Sequence, residues 1–195
     1  MKILGIDPGL VKTGFGLIEF LGGQPYFLDS GLIYPKGDSL AERLACICAG
    51  MSDLIEQHKP QMAAVEIVFS NINPKSTLLL GQARGAALAG LALAQTPVFE
   101  YTALQVKKSV VGYGKADKQQ VQTMVQHLLK LKELPQADQA DALACAICHA
   151  HTSSMSITNN AWKNSETRRV RKGRGLRLAS LEDLNLANNQ TGKPS

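Results

Sequence analysis

The chain has 195 residues, of which 45% are hydrophobic, so it can bury one core and does not require a second domain. Its formal net charge of +5 is unevenly distributed. Residues 1–150 hold 13 basic and 13 acidic side chains, whereas residues 151–195 hold 8 basic and 3 acidic ones. This composition excludes a wholly disordered chain. It predicts one folded domain at residues 1–155 and a basic, disordered tail at residues 156–195.

The sequence has no pattern typical of export or membrane insertion. Lys2 is followed by a short strand-like run and then by Asp7, rather than by the long apolar segment of a secretory signal. The longest apolar stretch, residues 78–94, is interrupted by Gln82 and Arg84 and therefore predicts a buried helix. We expect a cytoplasmic protein whose four cysteines are free thiols.

The first third of the chain has the pattern of strands joined by tight turns. Three strands are expected, at residues 2–7, 13–20 and 25–34. Because short connections join antiparallel neighbours, these strands predict an antiparallel arrangement. Ser39 and Glu42 then form a capping-box pattern, which predicts an amphipathic helix that ends before Pro60.

The rest of the folded region predicts strands that alternate with helices. Two further strands are expected, at residues 62–67 and 97–101. One helix should begin at Asn73 and Pro74, and the others are expected at residues 102–111, 116–131 and 135–151. This order predicts an α/β fold with a five-stranded mixed sheet flanked by helices.

Two acidic residues lie in or at the end of predicted strands. Asp7 ends the first strand and begins an Asp-Pro-Gly turn, so turn formation is one explanation for it. Glu66 lies inside an apolar strand, where an unpaired buried carboxylate would cost several kcal/mol. Glu66 therefore needs a cation, and a lysine and a metal ion explain it equally well.

Two further acidic residues, Asp138 and Asp141, lie three positions apart near the start of the last predicted helix. Either one alone could simply complement the helix dipole. Together they lie on one face, where like charges repel each other unless a cation lies between them. A strand-end Asp, a mid-strand Glu and a helical Asp pair are typical of a site for hard divalent cations, which prefer oxygen ligands.

Residues 75–133 are basic relative to the rest of the folded region, with eight basic and three acidic side chains. This excess indicates a polyanionic partner, although a lysine-rich solvated face explains it as well. Phe69, two positions after the predicted strand that contains Glu66, fits either a core position or an exposed ring that stacks on an unpaired base.

Six short blocks carry a resemblance to a known family. They are ILGIDPG at residues 3–9, VEIVF at 65–69, LGQARG at 80–85, QVK at 105–107, VVG at 110–112 and QADQADALA at 136–144. Their sequences and their order resemble the RuvC family of Holliday junction resolvases over residues 1–155. The resemblance implies a ribonuclease H-like fold and a homodimer. It also implies an endonuclease that resolves four-way DNA junctions in homologous recombination and repair by paired cuts.

The resemblance also implies roles for individual residues. Catalytic and metal-binding roles fall on Asp7, Glu66, Asp138 and Asp141. Some members of the family have His where this chain has Asp138. Phe69 matches an aromatic residue beside the junction bases, and Lys107 and Lys118 match basic residues near the DNA.

The implied cofactor is Mg²⁺, with two ions about 3.5 to 4 Å apart at each site and Mn²⁺ as a substitute. The implied partners are four-way junction DNA and the RuvA-RuvB branch-migration complex.

Other interpretations of the sequence remain. One is a module that recognises DNA junctions without cutting them. The presence of all four acids argues against it, and a cleavage assay with magnesium separates it from a nuclease. An actin-like phosphotransferase or ATPase also begins with a strand, an Asp and a glycine turn. Cys145, Cys148 and His149 fit a haem-attachment pattern, but helical spacing places both cysteines on a face that should be core. A zinc site at these residues lacks a second ligand pair.

Overall fold

The computed structural model describes residues 1–67 and 73–166, with side chains described up to residue 154. The strands are β1 (Lys2–Asp7), β2 (Thr13–Leu21), β3 (Gln24–Ile33), β4 (Met62–Ile67) and β5 (Val98–Thr102). The helices are α1 (Leu40–His58), α2 (Pro74–Leu93), α3 (Ala103–Val111), α4 (Lys118–Leu129) and α5 (Ala137–Glu166). Phe69 and residues 167–195 lie outside the described residues.

The five strands form one mixed sheet in the order β3-β2-β1-β4-β5. The β1–β2 and β2–β3 pairs are antiparallel, and the β1–β4 and β4–β5 pairs are parallel. The predicted five-stranded mixed sheet is therefore confirmed. Because β1, β4 and β5 run in the same direction, their carboxyl ends meet at one edge of the sheet, where ligand sites of such sheets commonly lie.

Each face of the sheet is covered by its own group of helices. On one face, Leu4 and Ile6 of β1 pack with buried residues of α1 and α2. On the other face, Ile3 of β1 and Ala64 of β4 pack with buried residues of α3, α4 and α5. Successive side chains of a strand point to opposite faces, so the positions of Asp7 and Glu66 place them on the face covered by α3, α4 and α5.

Two glycines let α5 lie against the middle of the sheet. A Cβ atom on Gly5 would collide with the backbone carbonyl of Ala142, and a Cβ atom on Gly14 would collide with that of Asp138. Both positions therefore require the absence of a side chain. This close approach holds the first turns of α5, which contain Asp138 and Asp141, beside the end of β1.

The bounds of the elements agree closely with the sequence patterns where local signals are strong. Strands β1 and β4 have the predicted ends, and Ser39 caps α1 in a capping box with Glu42. The predicted end of the last helix at His151 was wrong, because α5 continues to Glu166, the last residue that the structure describes. The hydroxyl of Thr152 donates to the carbonyl of Cys148, and local bonds of this kind accommodate Ser and Thr within a helix.

The chain divides into two units. Met1–Thr158 forms a compact unit with the sheet and its helices. Of the second unit, Asn159–Ser195, only residues 159–166 are described, and they are helical. Within the described ranges, we find no helix with the length and apolar character needed to span a membrane.

Candidate active site

The candidate site lies where the carboxyl ends of β1 and β4 meet. Asp7 is the last residue of β1, and Glu66 is the penultimate residue of β4. The parallel register pairs Ile6 with Val65, so the next residues, Asp7 and Glu66, follow side by side. Strand alternation and register together therefore bring two carboxylates to one position beneath α3, α4 and α5.

Three helices complete the site around these strand ends. The third acid, Asp141, lies in the first turns of α5. Lys107 is on α3, and Lys118 is the first residue of α4, whose N-terminus is capped by Asp117. These elements enclose a cavity of about 310 Å³ that is lined by Asp7, Glu66, Asp141, Lys107 and Lys118. Ala103, Val106 and Val121 form its apolar wall.

Among the acids of the site, Asp7 has the most strongly raised pKa. The pKa of Asp7 is raised from its ordinary value of 3.8 to about 7, chiefly by burial and then by the charges of Asp141, Glu66 and Asp138, in that order. Lys118 offsets part of this rise. Asp7 therefore lies in a region with too little positive charge for all of these acids to ionise easily.

The charge of Asp141 contributes to the pKa shifts of both Glu66 and Lys118. Burial is the largest cause that raises the pKa of Glu66, and the charge of Asp141 is the next, while Lys118 and Lys107 lower it. The Lys118 ammonium donates to Oδ2 of Asp141 at 3.3 Å, and Asp141 is the main cause that raises the pKa of Lys118. The Lys118 side chain is 74% exposed, so it can leave Asp141 without disturbing the core.

The chemistry of these side chains suits a hard divalent cation. The acids supply only carboxylate oxygens, the ligands that Mg²⁺ and Mn²⁺ prefer, and the raised pKa of Asp7 reflects excess negative charge that a cation would relieve. In the described part of the chain, no three His, Cys, Asp or Glu side chains are arranged to hold one metal ion as they stand. One carboxylate oxygen of Asp141 instead pairs with the Lys118 ammonium. The residues therefore fit a metal whose binding separates that pair.

Asp138 is placed differently from the other acids. It is not among the described residues that line the cavity, but its charge contributes to the raised pKa of Asp7. The structure therefore brings Asp7, Glu66, Asp141, Lys107 and Lys118 together and leaves Asp138 nearby. The proposed role of Phe69 lies outside the described residues.

A larger cavity elsewhere lacks the chemistry of this site. It measures about 610 Å³ and lies between Tyr113 and α4. Its one acid, Asp117, already accepts a hydrogen bond from the backbone of Gln120 as the cap of α4. We therefore assign the reaction site to the smaller cavity, where several acids and two lysines converge.

The Cys-x-x-Cys-His pattern belongs to the core. Cys145 and Cys148 are buried free thiols, and burial raises the pKa of Cys145 well above its ordinary range. His149 is 3% exposed, and its Nδ1 shares a 2.6 Å hydrogen bond with the hydroxyl of Tyr101. These side chains pack the α5 face of the sheet and point away from solvent.

A sequence model of the family described as "Crossover junction endodeoxyribonuclease RuvC" matches residues 3–149. The chain belongs to the RuvC family. A Nitrosomonas eutropha member is 59% identical over 151 residues, which are 77% of this chain and 85% of that protein. A Bordetella avium member is 52% identical over 184 residues, which are 90% of this chain and 99% of that protein.

Solved structures of the RuvC family agree with this assignment. Thermus thermophilus RuvC is 32% identical, with a TM-score of 0.73 over 80% of this chain and 97% of that chain. The same protein in complex with a Holliday junction substrate has a TM-score of 0.75 at 32% identity, over 80% of this chain and 96% of that chain. A yeast mitochondrial Holliday junction resolvase, 12% identical with a TM-score of 0.59, shares the fold. The predicted ribonuclease H-like fold is confirmed.

Membership in the RuvC family also confirms the predicted class of enzyme. The family consists of metal-dependent nucleases of DNA recombination and repair, and the chain is a Holliday junction resolvase of this kind. The match decides against the actin-like phosphotransferase. It does not by itself assign a role to any one residue.

Sequence reasoning missed one residue that contacts the site's backbone. Arg84 of α2 donates its Nε to the backbone carbonyl of Glu66 at 3.2 Å. The LGQARG block marked this segment only as part of the RuvC resemblance. The contact joins residues 18 positions apart, so no local pattern could have indicated it.

Proposed function

We propose that this chain resolves four-way DNA junctions by paired, magnesium-dependent hydrolysis of phosphodiester bonds, with Asp7, Glu66, Asp138 and Asp141 as the catalytic carboxylates. The observation that carries the proposal is the cavity in which Asp7, Glu66 and Asp141 converge beside two lysines. Three acids that line the cavity, with Asp138 nearby, suit two Mg²⁺ ions, and Mn²⁺ has the same preference for oxygen ligands. When bound, the ions supply a nucleophilic water and offset charge on the leaving oxygen.

The protein's own residues prepare the site for this chemistry. Asp7 and Glu66 are fixed by strands rather than loops, so their carboxylates need little rearrangement when a cation arrives. Asp141 would hold the cation in place of its present ammonium partner, Lys118. Lys118 and Lys107 are then free to contact the phosphate that undergoes cleavage and to offset its charge.

We further propose that Phe69 stacks on a base at the junction centre. The match to the RuvC pattern supports this role, and Phe69 is two positions beyond the last residue of β4 in the sequence. A ring that stacks on an unpaired base distinguishes the branch point from continuous duplex.

A homodimer follows from the symmetry of the substrate, because two cuts in a two-fold symmetric junction need two sites. Helix α2 offers a suitable interface. Leu78 on this helix is 65% exposed, and a Cβ atom at Gly81 or Gly85 would meet no other atom within 4 Å. We also propose the cytoplasm as the site of action and the RuvA-RuvB complex as a partner, both on the strength of the family alone.

Cleavage of two matched substrates tests the proposed function. A synthetic four-way junction and a linear duplex of the same sequence are incubated with the protein in Mg²⁺ or in EDTA. We expect paired cuts in the junction with Mg²⁺ and none in EDTA or in the duplex. Tight junction binding without cutting would instead indicate a binding module, and equal cutting of both substrates would indicate a nuclease that does not recognise junctions.

A further inference from the structure

Arg84 connects three elements behind the candidate active site. It lies in the middle of α2, and its Nε donates to the Glu66 carbonyl of β4 at 3.2 Å. Its Nη2 pairs with the Glu100 carboxylate of β5. One guanidinium therefore contacts the backbone of a proposed metal ligand and is itself held by the neighbouring strand.

Arg84 reaches Glu66 from the face of the sheet opposite to the cavity. The Glu66 side chain lines the cavity on the α3, α4 and α5 face. Val98 of β5 packs against the core beneath α1 and α2, and strand alternation places Glu100 on that same face. Arg84 is not among the described residues that line the cavity. Its contact with Glu66 is therefore to the backbone carbonyl and not to the carboxylate.

The contact occurs where strand pairing ends on one side. The β1–β4 ladder ends at the pair of Ile6 and Val65, whereas the β4–β5 ladder continues through Glu66 to Ile67. Glu66 thus lies one residue beyond the pairing with β1. A hydrogen bond from Arg84 limits movement of this peptide where the sheet itself no longer holds it on both sides.

The chemistry of arginine suits this task better than that of lysine. The guanidinium has several donors in a fixed plane, so it can serve the Glu66 carbonyl and the Glu100 carboxylate at once. The Arg84 side chain is only 20% exposed, which strengthens its hydrogen bonds relative to bonds in open solvent. A lysine ammonium at the same position could pair with Glu100 but would not hold both groups in one geometry.

We propose that Arg84 is a positioning residue for the cleavage reaction. It fixes the peptide of Glu66 and so directs the Glu66 carboxylate toward the divalent cation. This inference rests on the proposed function, because it gives Glu66 a reason to need a fixed orientation.

Three variants test the role of Arg84. Arg84→Ala removes both contacts, and Arg84→Lys keeps the charge opposite Glu100. Arg43→Ala is the matched control, because Arg43 also donates its Nε to a backbone carbonyl, that of Gly37 at 3.0 Å, but does so beside α1 and away from the cavity. For each protein, four quantities are measured: the single-turnover rate of junction cleavage, the calorimetric affinity for Mg²⁺ without DNA, junction affinity in EDTA, and the midpoint of thermal unfolding.

We expect Arg84→Ala to slow cleavage by about 10-fold to 100-fold, since a displacement near 1 Å at a reacting centre has effects of this size. Its affinity for Mg²⁺ should fall, while its junction affinity in EDTA stays unchanged. Arg84→Lys should recover the unfolding midpoint without recovering the cleavage rate. Arg43→Ala should match the wild type in rate and in both affinities.

Several results would overturn the proposal. One is a wild-type cleavage rate and Mg²⁺ affinity in Arg84→Ala. Another is loss of junction affinity in proportion to rate, which would make Arg84 a phosphate contact. Full recovery of rate in Arg84→Lys would show that charge alone matters. If Arg84→Ala does not fold, Glu100→Gln, which weakens the anchor of the guanidinium, must show the same selective loss of Mg²⁺ affinity. If the wild type does not cut junctions, the proposed function fails, while the calorimetry still decides the role of Arg84.

Discussion

Replacement of Asp7 by Asn should abolish cleavage and should also increase the stability of the metal-free protein. The change preserves the shape of the side chain but removes a negative charge from the cluster. We expect Asp7→Asn to bind junction DNA as the wild type does and to lose cleavage, because the amide is a poor ligand for a hard divalent cation. We also expect the variant to be more stable than the metal-free wild type above pH 7.

The size of this gain follows from the pKa of Asp7. One pKa unit corresponds to about 1.4 kcal/mol, so a rise from 3.8 to about 7 destabilises the folded, ionised form by at most about 4 kcal/mol. The cavity is open to solvent and several acids share the repulsion, so we expect about 1 to 2 kcal/mol. Well below the ordinary pKa of 3.8, the carboxyl group is protonated in both the folded and unfolded states, and the penalty vanishes. As pH rises toward 7, the unfolded state ionises first, so wild-type stability falls and the fall is complete above pH 7.

Denaturant unfolding in EDTA at pH 4, 6 and 8 measures this effect. The free energy of unfolding of Asp7→Asn minus that of the wild type should be smallest at pH 4, larger at pH 6 and largest at pH 8. Asp53→Asn, which changes an exposed acid on α1, is the control and should show no gain that grows with pH. A difference for Asp7→Asn that is constant with pH, or that favours the wild type at pH 8, would refute the reasoning.

Three further predictions concern DNA contacts, assembly and metal binding. Lys107→Ala and Lys118→Ala should each slow cutting or weaken junction binding. Each should also reduce the slope of log affinity against log salt concentration by about one. Unchanged slopes and rates would show that neither lysine contacts the DNA. Gly85→Leu on α2 should raise the dimer dissociation constant in sedimentation by at least about 10-fold, and a fully active wild-type monomer would contradict the dimer. Mg²⁺ must displace the proton on Asp7, so the affinity of the protein for Mg²⁺, measured by calorimetry, should fall by up to about 10-fold per pH unit below pH 7. An affinity that does not change from pH 6 to pH 8 would exclude Asp7 as a ligand.

Local signals explain which parts of the fold were predictable. The apolar runs of β1 and β4 and their flanking turns determine strand ends within a few residues of chain, and their predicted bounds match the structure. The capping box of Ser39 and Glu42 is likewise a local interaction. Helix α5 continues beyond its apolar periodicity to Glu166, and periodicity alone does not report such a continuation.

The site was predictable in its residue types but not in its pairings. A carboxylate within an apolar strand and two acids on one helix face indicate a cation site, because each is costly without one. The ion pair of Lys118 with Asp141 and the bond of Arg84 to Glu66 join distant parts of the chain. Both contacts depend on how the helices pack on the sheet. No local sequence pattern indicates that packing. For the same reason, the position of Asp138 outside the cavity lining could not be foreseen.

The central claim is that the clustered carboxylates carry out metal-dependent cutting of four-way junctions. Single-turnover cleavage of one junction by the wild type, Asp7→Asn, Glu66→Gln and Asp141→Asn tests it most directly, with junction affinity measured on the same preparations in EDTA. We expect cutting by the wild type only with Mg²⁺, and a loss of at least about 100-fold in each variant at unchanged junction affinity. Cutting at the wild-type rate by any of the three variants, or by the wild type in EDTA, would contradict the claim.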